Sequence, residues 1–451
     1  MKFPPIARSA ALLLVGVWSG VTSPLAQRTI SPQPASSVPE SRLARLRHGV
    51  NPSAWFAQVY DKRGYTKEHF QTWTTAEDIA LIKSMGFDHV RLSVDPQPMM
   101  TDHRPDEIPA DYVGYLDAAV KMILDQQMAV VIDLHPGSDF KARMAKDDSF
   151  VQQFADFWRA LARHYSTWDA ERVFLEILNE PEFSDPYRWY GVQAKLAAAI
   201  REGAPHHTLI AAGARWSDDD DLVFLEPLRD GNVIYNFHFY EPHIFTHQGA
   251  TWGAYFWHWV KGLHYPSSPE SAAKTAANVP DAVDRLAVIR YGQDHWDAAR
   301  IDAEIAQVAE WSRQRGLPVV CNEFGVYRDF ADPQDREAWI RDTRTALERH
   351  GMGWTVWDYS GNFGVVTKKD GRSVPDEVTL RALGLNEPAA GRSGGVQRVR
   401  RLSRLCRPAR PCGMDSRRAH GAGAARHGLD DVGLFGQLRS GDEKGRAERP
   451  G

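Results

Sequence analysis

Residues 173–182 read VFLEILNEPE, and the reading of this stretch decides the fold. Its first half is a short run of β-branched and large apolar side chains, the pattern of a fully buried strand. Proline cannot donate to a sheet ladder, so the strand must end by Pro181, leaving Asn179 and Glu180 at its rim. The same arrangement returns 143 positions later in residues 318–327, PVVCNEFGVY: an apolar strand, then Glu323, then a glycine turn.

Outward from these two stretches the pattern alternates. A helix over 76–85 precedes a strand at 87–94 (FDHVRLSV), and a helix over 112–126 precedes another at 128–134 (MAVVIDL). The helix at 149–165 leads into the strand at 173, and a helix near 193–202 leads to strands at 208–212 and 233–239. After a long segment, the helix 299–315 brings in the strand 318–322, and the helix 335–350 brings in 353–357. With residues 48–51 this makes eight strands over about 340 residues, the signature of an α/β chain folded as a (β/α)8 barrel with a long loop after strand six. An open doubly wound sheet would alternate too, but it advertises a glycine-rich phosphate loop, and neither GxGxxG nor a Walker sequence is present.

The 451 residues, 43% of them hydrophobic, suffice for a large core, and the 15 tryptophans suit a sugar-binding cleft as well as a core. Lys2 and Arg8 precede a short apolar run, 10–21, and small residues follow. Residues 1–26 therefore read as an export signal, too short to span a bilayer as a mature helix, and the protein as secreted or periplasmic. Residues 27–46 read as a proline-rich linker, 47–386 as the barrel, and 387–451 as a disordered tail rich in Arg and Gly. From 389 onward there are 14 Lys and Arg against 6 Asp and Glu; with −4 overall, the rest of the chain carries about −12, which argues against a nucleic-acid partner. Cys321, Cys406 and Cys412 offer neither a disulfide framework nor zinc spacing.

The strand ends present Arg91, His135, Asn179, Glu180, His238, Tyr240, Glu323 and Trp357. Singly each has a dull explanation as a rim salt bridge, loop residue or core filler. As a set they meet the demands of glycoside cleavage, which needs one carboxyl as acid and a second as nucleophile. Glu180 suits the acid, which must hold its proton near neutrality and so asks for partial desolvation or nearby negative charge. Glu323 suits the ionised nucleophile, held by Arg91 and the phenol of Tyr240. Asn179 is placed to bond the sugar 2-hydroxyl, and Trp357 offers a flat apolar face to a pyranose. His135 and His238 would pin these groups and tune the acid.

With VRLSV (Arg91), IDLHPG (His135), LNEP (Asn179, Glu180), FHFYEP (His238, Tyr240), NEFG (Glu323) and WTVWDYSGNFG (Trp357) in that order, the chain resembles family 5 of the glycoside hydrolases over about residues 47–385. The resemblance implies a (β/α)8 barrel with catalytic glutamates ending strands four and seven. It also implies retaining double displacement, carboxyl groups about 5 Å apart, and no metal or organic cofactor. Residues 241–298 depart from shorter members and carry Trp252, Trp257, Trp259 and Trp296. Trp252, in HQGATW, is the expected sugar platform, while packing accounts equally well for the other three. Trp55, after the first strand, is a second expected subsite residue, and the irregular spacing of His243, His247 and His258 makes a poor metal site. The expected substrate is β-1,4-glucan, as polysaccharide or oligosaccharide, acted on by a monomer. β-Mannan and β-1,3-glucan are the alternatives on the same scaffold. A non-catalytic carbohydrate-binding barrel is disfavoured because both glutamates and their supporting residues are present.

Overall fold

In the computed structural model, which describes residues 35–385 apart from 61, 101–103 and 105, eight parallel strands close into a barrel. The strands are β1 (His48–Asn51), β2 (His89–Val94), β3 (Ala129–Leu134), β4 (Val173–Glu176), β5 (Thr208–Ala212), β6 (Val233–Phe239), β7 (Val319–Phe324) and β8 (Gly353–Trp357). Each pairs with the next, and β1 closes on β8 with His48 opposite Trp354 and Asn51 opposite Trp357. The expected (β/α)8 barrel is the fold. The export signal 1–26, the tail 387–451 and the first part of the 27–46 linker lie outside the described residues.

The helices between strands start where short polar side chains can accept from free backbone N–H groups. Thr75 and Asp78 form a reciprocal capping box, while Asp147, Asp185, Asp297 and Asp332 cap the helices that follow them. The helix Asp148–Tyr165 buries Phe150, Phe154, Phe157, Trp158, Leu161 and Tyr165 against the sheet, the stripe expected of a 3.6-residue period. Buried indoles also fasten strand ends: Nε1 of Trp158 donates to the carbonyl of Ile177 at 3.0 Å, and that of Trp189 to Ala212 at 2.9 Å. Much of the chain's tryptophan therefore serves the scaffold rather than the cleft.

The barrel interior changes character with height, and this places the site. Low in the lumen, Ala129, Val131, Phe174, Ile210, Ile234 and Val320 form an apolar plug with Leu46. Two residues further along four of these strands stand Asp133, Glu176, Asn236 and Asn322, all buried. One step higher, β3 and β6 deliver His135 and His238. Because side chains alternate faces along a strand, period two stacks these layers in register.

Some boundaries differ from the sequence expectation. The β4 ladder stops at Glu176, yet Ile177 and Asn179 still donate backbone bonds to Ile210 and Leu134 at 3.0 and 2.8 Å, so the chain stays extended up to the rim. The helix expected near 193–202 begins two turns earlier, as Pro186–Gly203, with Pro186 in its first turn behind the Asp185 cap. A hairpin, β9 (Val366–Lys369) and β10 (Arg372–Pro375), was not anticipated, although its Asp370-Gly371 turn has both residues at positive φ, as a two-residue hairpin requires. Residues 35–46, read as linker, pack on the barrel floor. Ser37 N–H bonds the Gly231 carbonyl, Val38 and Leu43 join the plug, and Arg42 reaches Glu171, the His206 carbonyl and Thr208. Among the described residues no helix is long and apolar enough to cross a membrane.

Arg42→Ala should lower stability by about 2 kcal/mol, since it strands buried acceptors without touching the upper face of the barrel. A lower urea midpoint with unchanged kcat and KM at low temperature is the expected result.

Candidate active site

Arg91, fully buried on β2, organises the upper lumen. Nε and Nη2 grip both oxygens of Glu176 at 2.8 Å each, and Nη2 also donates to Asn179 Oδ1 at 2.8 Å. Nη1 donates to Asn51 Oδ1 at 3.0 Å and to Glu323 Oε1 at 2.7 Å. All five guanidinium N–H groups therefore have acceptors, with Asp133 a further 3.1 Å ion-pair partner. Burial alone would lower the guanidinium's pKa, but Asp133, Glu176 and Glu323 together hold it well above its ordinary value. Glu176 is itself satisfied by Asn236 and Asn322 at 3.2 and 2.7 Å.

Both oxygens of Glu323 are held, Oε1 by Arg91 and Oε2 by the Tyr240 hydroxyl at 3.0 Å. Burial, then the neighbouring Glu323 charge, keeps the phenol protonated well above its usual range. A register shift between Cys321 and Phe324 lets consecutive residues, Asn322 and Glu323, both reach the barrel axis, which a regular strand would forbid. Glu180 is more exposed and sits in the left-handed region at φ 42°, its Oε1 2.9 Å from His238 Nδ1. The same nitrogen is 3.6 Å from Glu323.

On the opposite flank, His135 Nδ1 contacts Asp133 Oδ2 at 2.9 Å, and its Nε2 meets the amide nitrogens of Asn179 and Gln58 at 3.1 and 3.2 Å. The ring stacks on Trp357 with centroids 5.9 Å apart and 22° between planes. Burial pushes the imidazole of His135 down to about 3 and that of His238 to about 4, so both are neutral at ordinary pH. Burial raises the Asp133 carboxyl to about 6.

One oxygen each of Glu180 and Glu323 and one nitrogen of His238 lie within 4.8 Å of one another, a donor set large enough for a cation. An ion seated there would have to replace the His238–Glu180 hydrogen bond.

Of the ten residues singled out from the sequence, eight converge here. Trp252 lies further out, 48% exposed, with its ring edge-on to Tyr327 at 5.0 Å; Tyr327 packs on Phe363, which packs on Tyr240. Trp55 does not line the cleft: it is 1% exposed, packs on Phe56, and donates its indole N–H to the Phe70 carbonyl. Its role is to anchor the loop after β1, and the expectation of a subsite fails because no face of the ring is open. In the long loop, Trp257 and Trp296 are buried, whereas Trp259 is half exposed. The residues missed were those under the rim, Asn51, Asp133, Glu176, Asn236 and Asn322. Their signal was a polar residue interrupting an apolar strand at period two, as in VVIDLH and YNFHF.

Comparison with known proteins bears on the family and the fold. The family model described as Cellulase (glycosyl hydrolase family 5) matches residues 54–363. Endoglucanase C of Acetivibrio thermocellus is 29% identical over 344 residues, covering 74% of this chain and 97% of that protein. Cellodextrinase A of Ruminococcus flavefaciens is 24% identical over 314 residues, covering 67% and 82% respectively. The crystal structure of endoglucanase Cel5A from Thermotoga maritima superposes with a TM-score of 0.63 at 25% identity, covering 77% of this chain and 99% of that one.

Two outcomes follow from the packing and charge of the site. Trp55→Ala should cost about 3–5 kcal/mol of stability, the usual loss for an emptied aromatic core position, while leaving KM unchanged; a raised KM without destabilisation would restore Trp55 to the cleft. The raised Asp133 carboxyl means that between about pH 4 and 6 the native protein keeps a proton that the unfolded chain has released. Its contribution to stability is therefore complete below pH 4 and lost as pH rises through 6. Relative to Asp133→Asn, wild type should lose up to about 3 kcal/mol across that window in urea melts, and parallel curves would refute the assignment.

Proposed function

The chain belongs to the cellulase family, glycosyl hydrolase family 5, and from that membership we propose that it is a secreted, retaining endo-β-1,4-glucanase with Glu180 as acid/base and Glu323 as nucleophile. The observation that carries this reading is the approach of the two carboxyl groups, with oxygens within 4.8 Å. Retaining enzymes place these groups about 5–5.5 Å apart, whereas inverting ones leave room for a water.

In the first step a Glu323 carboxylate oxygen attacks the anomeric carbon while the bond to the leaving oxygen breaks and Glu180 delivers its proton to that oxygen. The result is a glycosyl ester on Glu323 and a released chain end. In the second step Glu180 takes a proton from water, the water oxygen attacks the same carbon, and the ester bond breaks to regenerate the Glu323 carboxylate. Two inversions retain the configuration. Arg91 and Tyr240 hold and aim Glu323, since each donates to a different oxygen. The Trp357 ring, braced by neutral His135, is the platform for the sugar at the cleavage point. β-1,4-glucan is supported by the endoglucanase relatives, and secretion by the basic and apolar pattern at the N-terminus.

Glu323→Ala should abolish release of reducing sugar from carboxymethyl cellulose while leaving the fold intact by circular dichroism. Glu180→Ala should lose roughly 10²–10⁴-fold on the polymer yet still form the glycosyl ester from aryl glycosides whose leaving group needs no proton, with azide restoring turnover as the β-glycosyl azide. Equal slowing on both substrates would sink the acid assignment, and first-formed α product in proton NMR would sink retention.

A further inference from the structure

The loop after β6 carries a second ionisable pair that the reaction as written does not use. His243 Nδ1 lies 2.9 Å from Glu241 Oε1, and both side chains are 35% exposed. The imidazole is clamped flat: it stacks on Trp257 at 5.9 Å and 13°, and on His247 at 5.2 Å and 23°. Its centroid is 6.0 Å from that of Tyr240, whose hydroxyl holds Glu323. Among the described residues Nε2 has no hydrogen-bond partner. Burial alone would lower the imidazole's pKa, but Glu241 holds it above the ordinary value, so the ring tends toward two N–H donors.

The flanks of the cleft say where this is. The Trp357 ring stacks on His135 at the end of β3, whereas Glu180 is held by His238 of β6. A sugar resting on Trp357 with its leaving oxygen at Glu180 must send the leaving group onward, over β5 and β6. That direction is marked by Trp216, 49% exposed and tied by its backbone N–H to the carbonyl of Pro181, the residue after Glu180. The loop carrying it is fixed in turn to β6 through the His238 N–H to Ser217 carbonyl bond at 2.8 Å. His243 thus stands over the leaving group rather than over the sugar that becomes bound to Glu323.

We propose that the Glu241–His243 pair is a hydrogen-bonding element for the leaving-group sugar, with His243 Nε2 engaging one of its hydroxyls and Glu241 fixing the ring for that contact. This rests on the glucanase reading of the same cleft. The Nδ1 contact and the two stacked rings deny the imidazole other orientations, so little rotamer entropy is left to lose when a hydroxyl arrives. A hydroxyl can accept from the doubly protonated ring or donate to the neutral one, so the contact exists in either state and is stronger in the first.

The experiment compares a substrate that has a sugar leaving group with one that lacks it. Against wild type, His243→Ala should lower kcat/KM on cellopentaose about tenfold, while hydrolysis of 4-nitrophenyl β-cellobioside changes by less than about twofold. His243→Gln, which keeps a donor near the Nε2 position, should recover most of the loss, and transfer of cellobiosyl units to added cellobiose should fall with His243→Ala. Melting temperatures of both variants separate misfolding from lost binding. Equal losses on the two substrates, or full activity of His243→Ala on cellopentaose, would overturn the proposal. Wild type inert toward both substrates would overturn the glucanase reading itself, and this one with it.

Discussion

Everything in the upper half of the barrel depends on one guanidinium with its five donors occupied. Arg91 joins residues from β1, β2, β4 and β7 together with the segment just beyond β4, so carboxyl groups far apart in the chain share one rigid reference point. Such an arrangement is a poor source of stability, because desolvating the ions consumes most of the Coulombic gain. Its value is geometric. A planar fork with every N–H engaged has one orientation, and any movement of Glu323 would strand a buried charge. The apolar plug beneath it, closed by Leu46, keeps water from solvating the cluster from below.

The strands were legible because a barrel buries them on both faces and so writes them as apolar runs; seven of the eight begin within a residue of where the composition placed them. The rim residues were legible for the same reason in reverse, as polar side chains have no other cause to follow an apolar run. What the sequence hid was the consequence of three-dimensional approach. Gly325 in NEFG reads as a turn residue, yet its φ is not positive. An added Cβ would sit 2.3 Å from the Trp357 carbonyl oxygen, so the glycine is there for close passage of two chain segments. Trp55 reads like Trp252, and only the burial of its ring separates an anchor from an open platform.

One cluster of backbone strain in this rim lies beside Glu180. Glu180, Trp216 and Ser217 all adopt φ between 42° and 56°, a region costing roughly 1–2 kcal/mol for each residue with a Cβ. The three are neighbours in space, since Trp216 N–H bonds the Pro181 carbonyl and Ser217 accepts from His238. Strain persists only where surrounding contacts over-determine it. Here the Trp158 indole holds Ile177 below the loop, and His238 holds the Glu180 carboxyl above it. The loop after β4 is thereby kept from relaxing to an extended path that would carry Glu180 away from Glu323.

Fixed tautomers complete the positioning, and the chain of reasoning runs outward from Asp133. Its carboxyl faces His135 Nδ1, which therefore carries the proton in the neutral ring, leaving Nε2 as an acceptor. An acceptor at Nε2 requires the amide nitrogen of Asn179, not its oxygen, at the 3.1 Å contact. The Asn179 oxygen is then turned to Arg91, where a nitrogen would meet only donors. Of the two amide N–H groups one is spent on His135, and the other has no partner among the described residues. On the proposed hydrolase reading, a buried amide with a single free donor, unable to flip because either end would face a like group, would discriminate between sugars that present an acceptor there and sugars that do not. Specificity of that kind comes from the penalty of leaving the donor unmatched, which exceeds the modest gain of the bond itself.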